Sequence, residues 1–368
     1  MNNKLNIWKI LFLLFLMVGT IYIIRKNYEK QKQEVAEKNW QKTDENGNIY
    51  SSRSVTKEYI ENRGSVFGTY YSITYRSSKD LHEGIRGKMK EVDNSLSPFN
   101  KSSVISAINE NRDNSTNAMF ADVFTLAQSI SEKTDGAFDI TVAPLVNAWG
   151  FGFKNGIKVE ANTVDSLKRF IGYNKVSLEN GRIIKQHPET MLDCSAIAKG
   201  YGCDAVARFL EENEVKDYLV EIGGEIVARG KNTKGSDWTI GINKPVDDAS
   251  GQSHGLYGVL KASGKSIATS GNYRNYREEN GKKISHTIDP ISGYPVQHSL
   301  LSATVIADDC ATADAYATAF MVMGVEKAME ICRNDDSIEA YFIYSDENGN
   351  LATCMSDGIG KYITKTAE

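Results

Sequence analysis

From Val55 to the C-terminus, strand-like and helix-like segments follow one another without regular alternation. A parallel sheet needs strand, crossover helix and strand in repetition, because each connection must return the chain to the same sheet end. This order lacks that repetition. It predicts an α+β fold: a single elaborated domain over 55–368 with a largely antiparallel sheet and flanking helices. Tyr59–Arg76 reads as a strand pair broken at Gly64 and Gly68. Helical patterns occupy about 81–96, 118–132 and 164–171, and Thr134-Asp135-Gly136 ends the second. Glu179-Asn180-Gly181 is a hairpin signal. A helix over about 196–213 leads to a strand at 217–222 that stops at Gly223-Gly224. Further strands are expected near 238–242, 257–261, 301–307 and 340–344, and helices over 312–323 and 325–332. No internal repeat or low-complexity tract interrupts this region.

The N-terminus is of another kind. Ile10 to Ile24 is an unbroken apolar or near-apolar run. A spanning helix needs roughly 17–25 such residues and a signal-peptide core about 7–15, so the run falls between them. No convincing small-x-small cleavage site follows, and no cysteine follows for lipid attachment. Residues 1–24 are therefore expected to form an uncleaved membrane-anchor helix, with a cleaved signal or a buried helix as alternatives. Residues 25–54 are polar and charged and read as a juxtamembrane linker. Lys4 and Lys9 precede the run, while Arg25, Lys26, Lys30 and Lys32 follow it. Taken alone, that count places the C-terminal side in the cytoplasm.

Composition excludes several classes. With 43 basic against 47 acidic residues and no arginine-rich stripe, nucleic acid is not the expected partner. Five cysteines without a CxxC indicate neither a zinc knuckle nor a redox dithiol, and Cys194 and Cys203 look buried. The absence of GxSxG, HExxH and GxxxxGK[ST] removes support for those hydrolase and nucleotide-binding classes.

Four segments carry possible chemistry. In Leu192–Gly200 an extended stretch enters a helix whose free N–H groups attract anions. Lys199 lies in the first helical turn, where a cation opposes the dipole. A phosphate facing it would explain the placement; the plain alternative is an N-cap at Asp193 or Ser195 and a solvated lysine. Asp314 and Thr318 stand four residues apart on one helix face among alanines, and are hard oxygen ligands suited to Mg²⁺ beside a phosphate. The alternative is a threonine bonded back to its own helix. His286 sits in a polar, glycine-containing hairpin just before Asp289-Pro290, placed as a proton shuttle or as a structural histidine. Thr134–Thr141 is a helix-to-strand loop of the kind that lines ligands, and Phe99 is a comparable loop aromatic, though such aromatics also serve as core.

Together these segments resemble the ApbE-type FAD:protein FMN transferase family. The matching strings cover roughly Ser65 to Gly324. They are Gly68-Thr69-Tyr70-Tyr71, Asn94–Asn100, Asp135–Asp139, Asp193–Gly200, Ile222-Gly223-Gly224, Ser270–Tyr273, His286–Pro290 and Ala313-Asp314-Ala315. Each is weak alone; eight in order are specific. The resemblance implies Mg²⁺-dependent cleavage of FAD. FMN passes to a Thr or Ser hydroxyl of a target protein through a phosphoester bond, and AMP leaves. It places Asp314, Thr318 and the Ala196 carbonyl at the metal. Ala137, Phe138, Asp139, Asp193, Lys199 and Ile288 fall at FAD contacts, Phe67 and Phe99 at flavin-lining positions, and His286 at the catalytic position. A Mg²⁺-dependent FAD pyrophosphatase and a non-catalytic flavin-binding module are the alternatives.

The chain departs from the family pattern in places. Phe67 stands for a usual Met, Cys194 for a common Leu, Glu221 for Asn and Glu225 for Asp. Ala317 stands where some relatives carry a second carboxylate. The acceptor motif, similar to Asp-x-x-Thr/Ser-Gly-Ala/Ser-Thr, does not occur in the chain, so the target is another protein. The family usually works on membrane-bound or exported electron-transfer proteins. That implies a catalytic domain outside the cytoplasm, against the charge count, tethered to the cell membrane by the N-terminal helix.

Overall fold

The computed structural model describes residues 39–366, apart from 45–46, 155, 158, 245–255, 273–275 and 280–281, together with Ile23 and Lys26. The anchor expected over 1–24 and most of the expected juxtamembrane stretch lie outside the described residues, as does Tyr273. Among the described residues no helix is long and apolar enough to cross a membrane.

Ten strands form one sheet. Their order is Trp40–Thr43, Ile49–Ser54, Tyr59–Val66, Thr69–Arg76, Tyr218–Ile222, Glu225–Arg229, Lys265–Gly271, Leu300–Ala307, Glu339–Ser345 and Leu351–Met355. Every neighbouring pair is antiparallel, as the irregular element order requires. The first two strands correct the expected linker: the folded part begins before Val55. Trp40 Nε1 donates to Asp80 Oδ2 at 2.8 Å, and buried Asn62 donates to Ser52 Oγ at 3.0 Å. These strands are short and polar, and of the ten residues only Ser52 is buried. They show no apolar alternation to read.

The central strands are buried on both faces, and their side chains divide with period two. Val305 and Phe342 enter the main helix-covered core, while their neighbours Ile306 and Ile343 enter a separate cluster with Trp238, Leu260 and Ile359. The second face is covered by a small sheet ordered Ile363–Thr366, Leu256–Lys261, Thr239–Asn243. The first is covered by Ala198–Glu212 and Cys310–Met323. The latter helix is apolar nearly all round, as a fully buried helix should be. Asp309 caps it by accepting from Thr312 N at 2.8 Å, and Gly324, at φ 79°, ends it.

Phe67 and Gly68 make the two-residue turn between Tyr59–Val66 and Thr69–Arg76, with φ of 52° and 72°. Two successive positive φ values match the twist of antiparallel strands. All five cysteines are free thiols, and Cys194 and Cys203 are buried as expected.

Candidate active site

Two helices create the site by close approach. A Cβ on Gly200 would lie 2.3 Å from the Cys310 carbonyl oxygen and 2.8 Å from Asp314 Cβ. Only glycine lets Ala198–Glu212 and Cys310–Met323 meet here. That contact sets Lys199 beside Asp314. Lys199 Nζ lies 2.7 Å from Glu225 Oε1 and 3.4 Å from Asp314 Oδ1. Both carboxylates are buried and hold the lysine charged, raising its pKa against the opposing effect of burial. The cation in the first helical turn is thus answered by carboxylates. Burial pushes Glu225 up to about 7, although Lys199 pulls it down. Sequence reading treated Glu225 only as a departure; its place beside Lys199 depends on strand pairing no local motif reports.

Asp314 Oδ2 accepts the Gly200 N–H at 3.0 Å. This N–H is one of the first-turn donors that the helix itself leaves without a partner. Thr318 Oγ1 lies 3.3 Å from Ser270 Oγ. A carboxylate, a hydroxyl and a carbonyl on one wall are hard oxygen donors. They fit a Mg²⁺ that keeps waters and substrate phosphates as its other ligands. They do not form an all-protein cage: among the described residues no cluster of three His, Cys, Asp or Glu side chains occurs.

The floor comes from two tied loops. The helix Ala118–Lys133 ends in a left-handed turn at Asp135 and Gly136, where Gly136 N reaches back to the Ser131 carbonyl at 2.8 Å. This delivers Ala137, Phe138 and Asp139. Asp139 Oδ1 accepts from both the N–H and the hydroxyl of Thr141 at 2.7 Å. Asp193 N donates to the Ile140 carbonyl at 2.7 Å, joining the second loop to the first. Asp193 Oδ1 accepts from Ser195 N at 2.8 Å and Ser195 Oγ at 2.5 Å. Burial raises the pKa of both Asp139 and Asp193 against these bonds.

His286 is half-buried between two residues pinned to one amide: Ser285 Oγ and Thr287 Oγ1 donate to Asn272 Oδ1 at 2.7 and 2.8 Å. Ile288 follows in a bridge to Pro295. Asn272 belongs to a segment the sequence singled out, but its anchoring role appears only in the structure.

A cavity of about 640 Å³ brings eleven of the twelve expected residues together. His286, Lys199, Asp314, Thr318, Ala196 and Ser270 line it, with Asp193, Asp139, Ala137, Phe138 and Ile288. Phe99, 66% exposed, and Phe151 add aromatic wall. Phe138 is 2% exposed and packs in the main core, so its ring backs the wall rather than opening onto it. Phe67 is the residue not brought to this cavity. Its ring packs over Gly202, where an added Cβ would lie 2.8 Å from Phe67 Cε2, and it touches two core clusters.

Comparison with known proteins places this fold among the flavin transferases. The model of the ApbE family matches residues 67–342. The chain is 36% identical over 322 residues to an FAD:protein FMN transferase of Haemophilus influenzae, covering 83% of this chain and 91% of that protein. It is 35% identical over 307 residues to one from Escherichia coli K12, covering 80% and 86%. The solved flavin transferase ApbE from Vibrio cholerae superposes with a TM-score of 0.75 at 31% identity, covering 83% of this chain and 99% of that one. The ApbE protein of Thermotoga maritima gives 0.73 at 27% identity, covering 84% and 100%. The chain belongs to the ApbE family.

Proposed function

We propose that this chain cleaves FAD and transfers its FMN half to a Thr or Ser hydroxyl of another protein, releasing AMP. The observation that carries the reading is the convergence, in the wall of one ligand-sized cavity, of His286, Lys199, Asp314, Thr318 and Ala196, together with Phe99 and Phe151. In the step, the acceptor oxygen forms a bond to the FMN phosphorus. The phosphorus–oxygen bond to AMP breaks, and AMP keeps that electron pair. His286 takes the hydroxyl proton, a role open to a histidine held on both sides by Asn272. Lys199 is oriented by Glu225 and Asp314 to face the pyrophosphate. The exposed Phe99 offers a face for the flavin ring. Asp314, Thr318 and Ala196 would hold Mg²⁺, which supplies charge neutralisation on the phosphates when bound.

Residues 1–24 would anchor the enzyme to the cell membrane, with the catalytic domain outside the cytoplasm. The acceptor would be a membrane-bound or exported electron-transfer protein carrying an Asp-x-x-Thr/Ser-Gly-Ala/Ser-Thr-like segment. Support for this lies in the apolar run and in the absence of that segment from the chain itself.

Release of AMP tests the reaction type. With FAD and Mg²⁺, AMP should form fast only when an acceptor is added, and chelation should stop it. Equal AMP release with and without acceptor would instead support a pyrophosphatase.

A further inference from the structure

A second cleft, of about 480 Å³, opens onto the same reacting centre from another side. It shares Lys199, Ser270 and His286 with the first cavity and none of its aromatic wall. Two features of it are unexplained by FAD. Glu225 is 3% exposed, and its Oε2 has no hydrogen-bond partner among the described residues. A buried acceptor left empty is costly, so this oxygen is placed for a donor that arrives from outside. In addition, Thr239–Asn243 lines the cleft and is an edge strand. Among the described residues it pairs with Leu256–Lys261 on one side only. An edge strand presents N–H and C=O groups to an extended chain.

We propose that this cleft receives the acceptor protein, whose hydroxyl-bearing segment lies extended along Thr239–Asn243 and presents its Thr or Ser to His286. The inference rests on the transferase reading and adds where the protein substrate binds. Charge selects the occupant. The wall carries the Glu221 and Glu225 carboxylates, which disfavour a second nucleotide or phosphate and favour the N–H and O–H donors of a peptide. Gly224, at φ 105° and with open space where a Cβ would stand, leaves room for another backbone to approach. The two cavities share only Lys199, Ser270 and His286, so both substrates can be present at once. The acceptor oxygen then attacks the FMN phosphorus from the second cleft, its proton passes to His286, and AMP departs with the electrons of the broken bond.

The test uses the full chain with FAD, Mg²⁺ and a peptide carrying Asp-x-x-Thr-Gly-Ala-Thr. Thr239→Trp and Asn243→Trp each fill the cleft from an exposed strand position. Both should raise the KM for the peptide by about tenfold or more while FAD affinity, read by flavin fluorescence, stays within about twofold. Hydrogen exchange on the unmutated enzyme gives a second reading: saturating peptide should protect the Thr239–Asn243 amides. Unchanged peptide KM in both variants, or no protection of that strand, would overturn the cleft assignment alone. Absence of any peptide adduct with the unmutated enzyme would overturn the transferase reading and this inference with it.

Discussion

At the scale of single residues, the site depends on carboxylates whose partners differ. Asp314 binds Lys199 and Gly200 and is left with lone pairs toward the cavity. Asp314→Ala should shift the Mg²⁺ midpoint of activity upward by at least about tenfold, the scale set by losing even an outer-sphere partner. An unmoved Mg²⁺ titration would remove Asp314 from the metal. Asp204 does different work. It accepts from Cys310 N and Ala311 N at 2.9–3.0 Å and so closes the start of the helix that carries Asp314. Burial outweighs those bonds and pushes its pKa from 3.8 up to about 7. A carboxyl raised in the fold contributes stability in full below its unfolded pKa, and loses it as pH rises through its folded pKa. The thermal stability of the protein relative to Asp204→Asn should therefore fall between pH 4 and 8, most steeply at about pH 5–6, midway between the two pKa values, and level off above about 7. Melting curves across that range check it; a constant difference would contradict it. His286, Asp314 and Lys199 were legible in the sequence through their motifs. Glu225, Asp204 and Asn272 were not, because each acts on residues distant in the chain and has no motif of its own.

At the scale of elements, the crossing of Ala198–Glu212 with Cys310–Met323 determines the chemistry. The second helix was expected over 312–323 and begins two residues earlier, at Cys310. That the two helices touch, and that Gly200 is the point of contact, could not be read from either alone. Gly200→Ala places a methyl against the Cys310 carbonyl. Such overpacking should cost about 1–3 kcal/mol. It should also lower activity by parting Lys199 from Asp314. Unfolding in denaturant and FAD turnover, measured on the same variant, would show both losses; a stable, fully active variant would mean the helices tolerate more separation than this packing implies.

At the scale of the whole molecule, the antiparallel sheet follows from the irregular order of elements. Tyr59–Val66, Thr69–Arg76, Tyr218–Ile222, Leu300–Ala307 and Glu339–Ser345 were expected as strands, whereas Glu225–Arg229 and Lys265–Gly271 were not. Nor were the sheet edges. Trp40–Thr43 and Ile49–Ser54 are polar strands recruited by pairing and by a few specific bonds, such as Trp40 to Asp80, and Trp40 stacks on His82 at 5.1 Å. Truncation immediately before Val55 should therefore lower the melting temperature relative to truncation before Asn39, by the equivalent of about 1–3 kcal/mol for the unpaired buried groups it exposes. Equal melting temperatures would return those strands to the status of a linker. Phe67 marks another limit of sequence reading. Its position matched a flavin-lining one, yet its half-buried ring packs over Gly202 against two core clusters and does not line the main cavity.

FAD is proposed to bind in one cavity, with His286 in its wall moving FMN onto a protein hydroxyl. The most direct measurement is the intact mass of an acceptor protein incubated with FAD, Mg²⁺ and either the unmutated enzyme or His286→Ala, with FAD binding measured in the same samples. Both proteins should bind FAD, the unmutated enzyme should add one FMN to the acceptor, and the variant should do so roughly 10²–10⁴-fold more slowly. An adduct formed at the unmutated rate by His286→Ala would contradict the proposal.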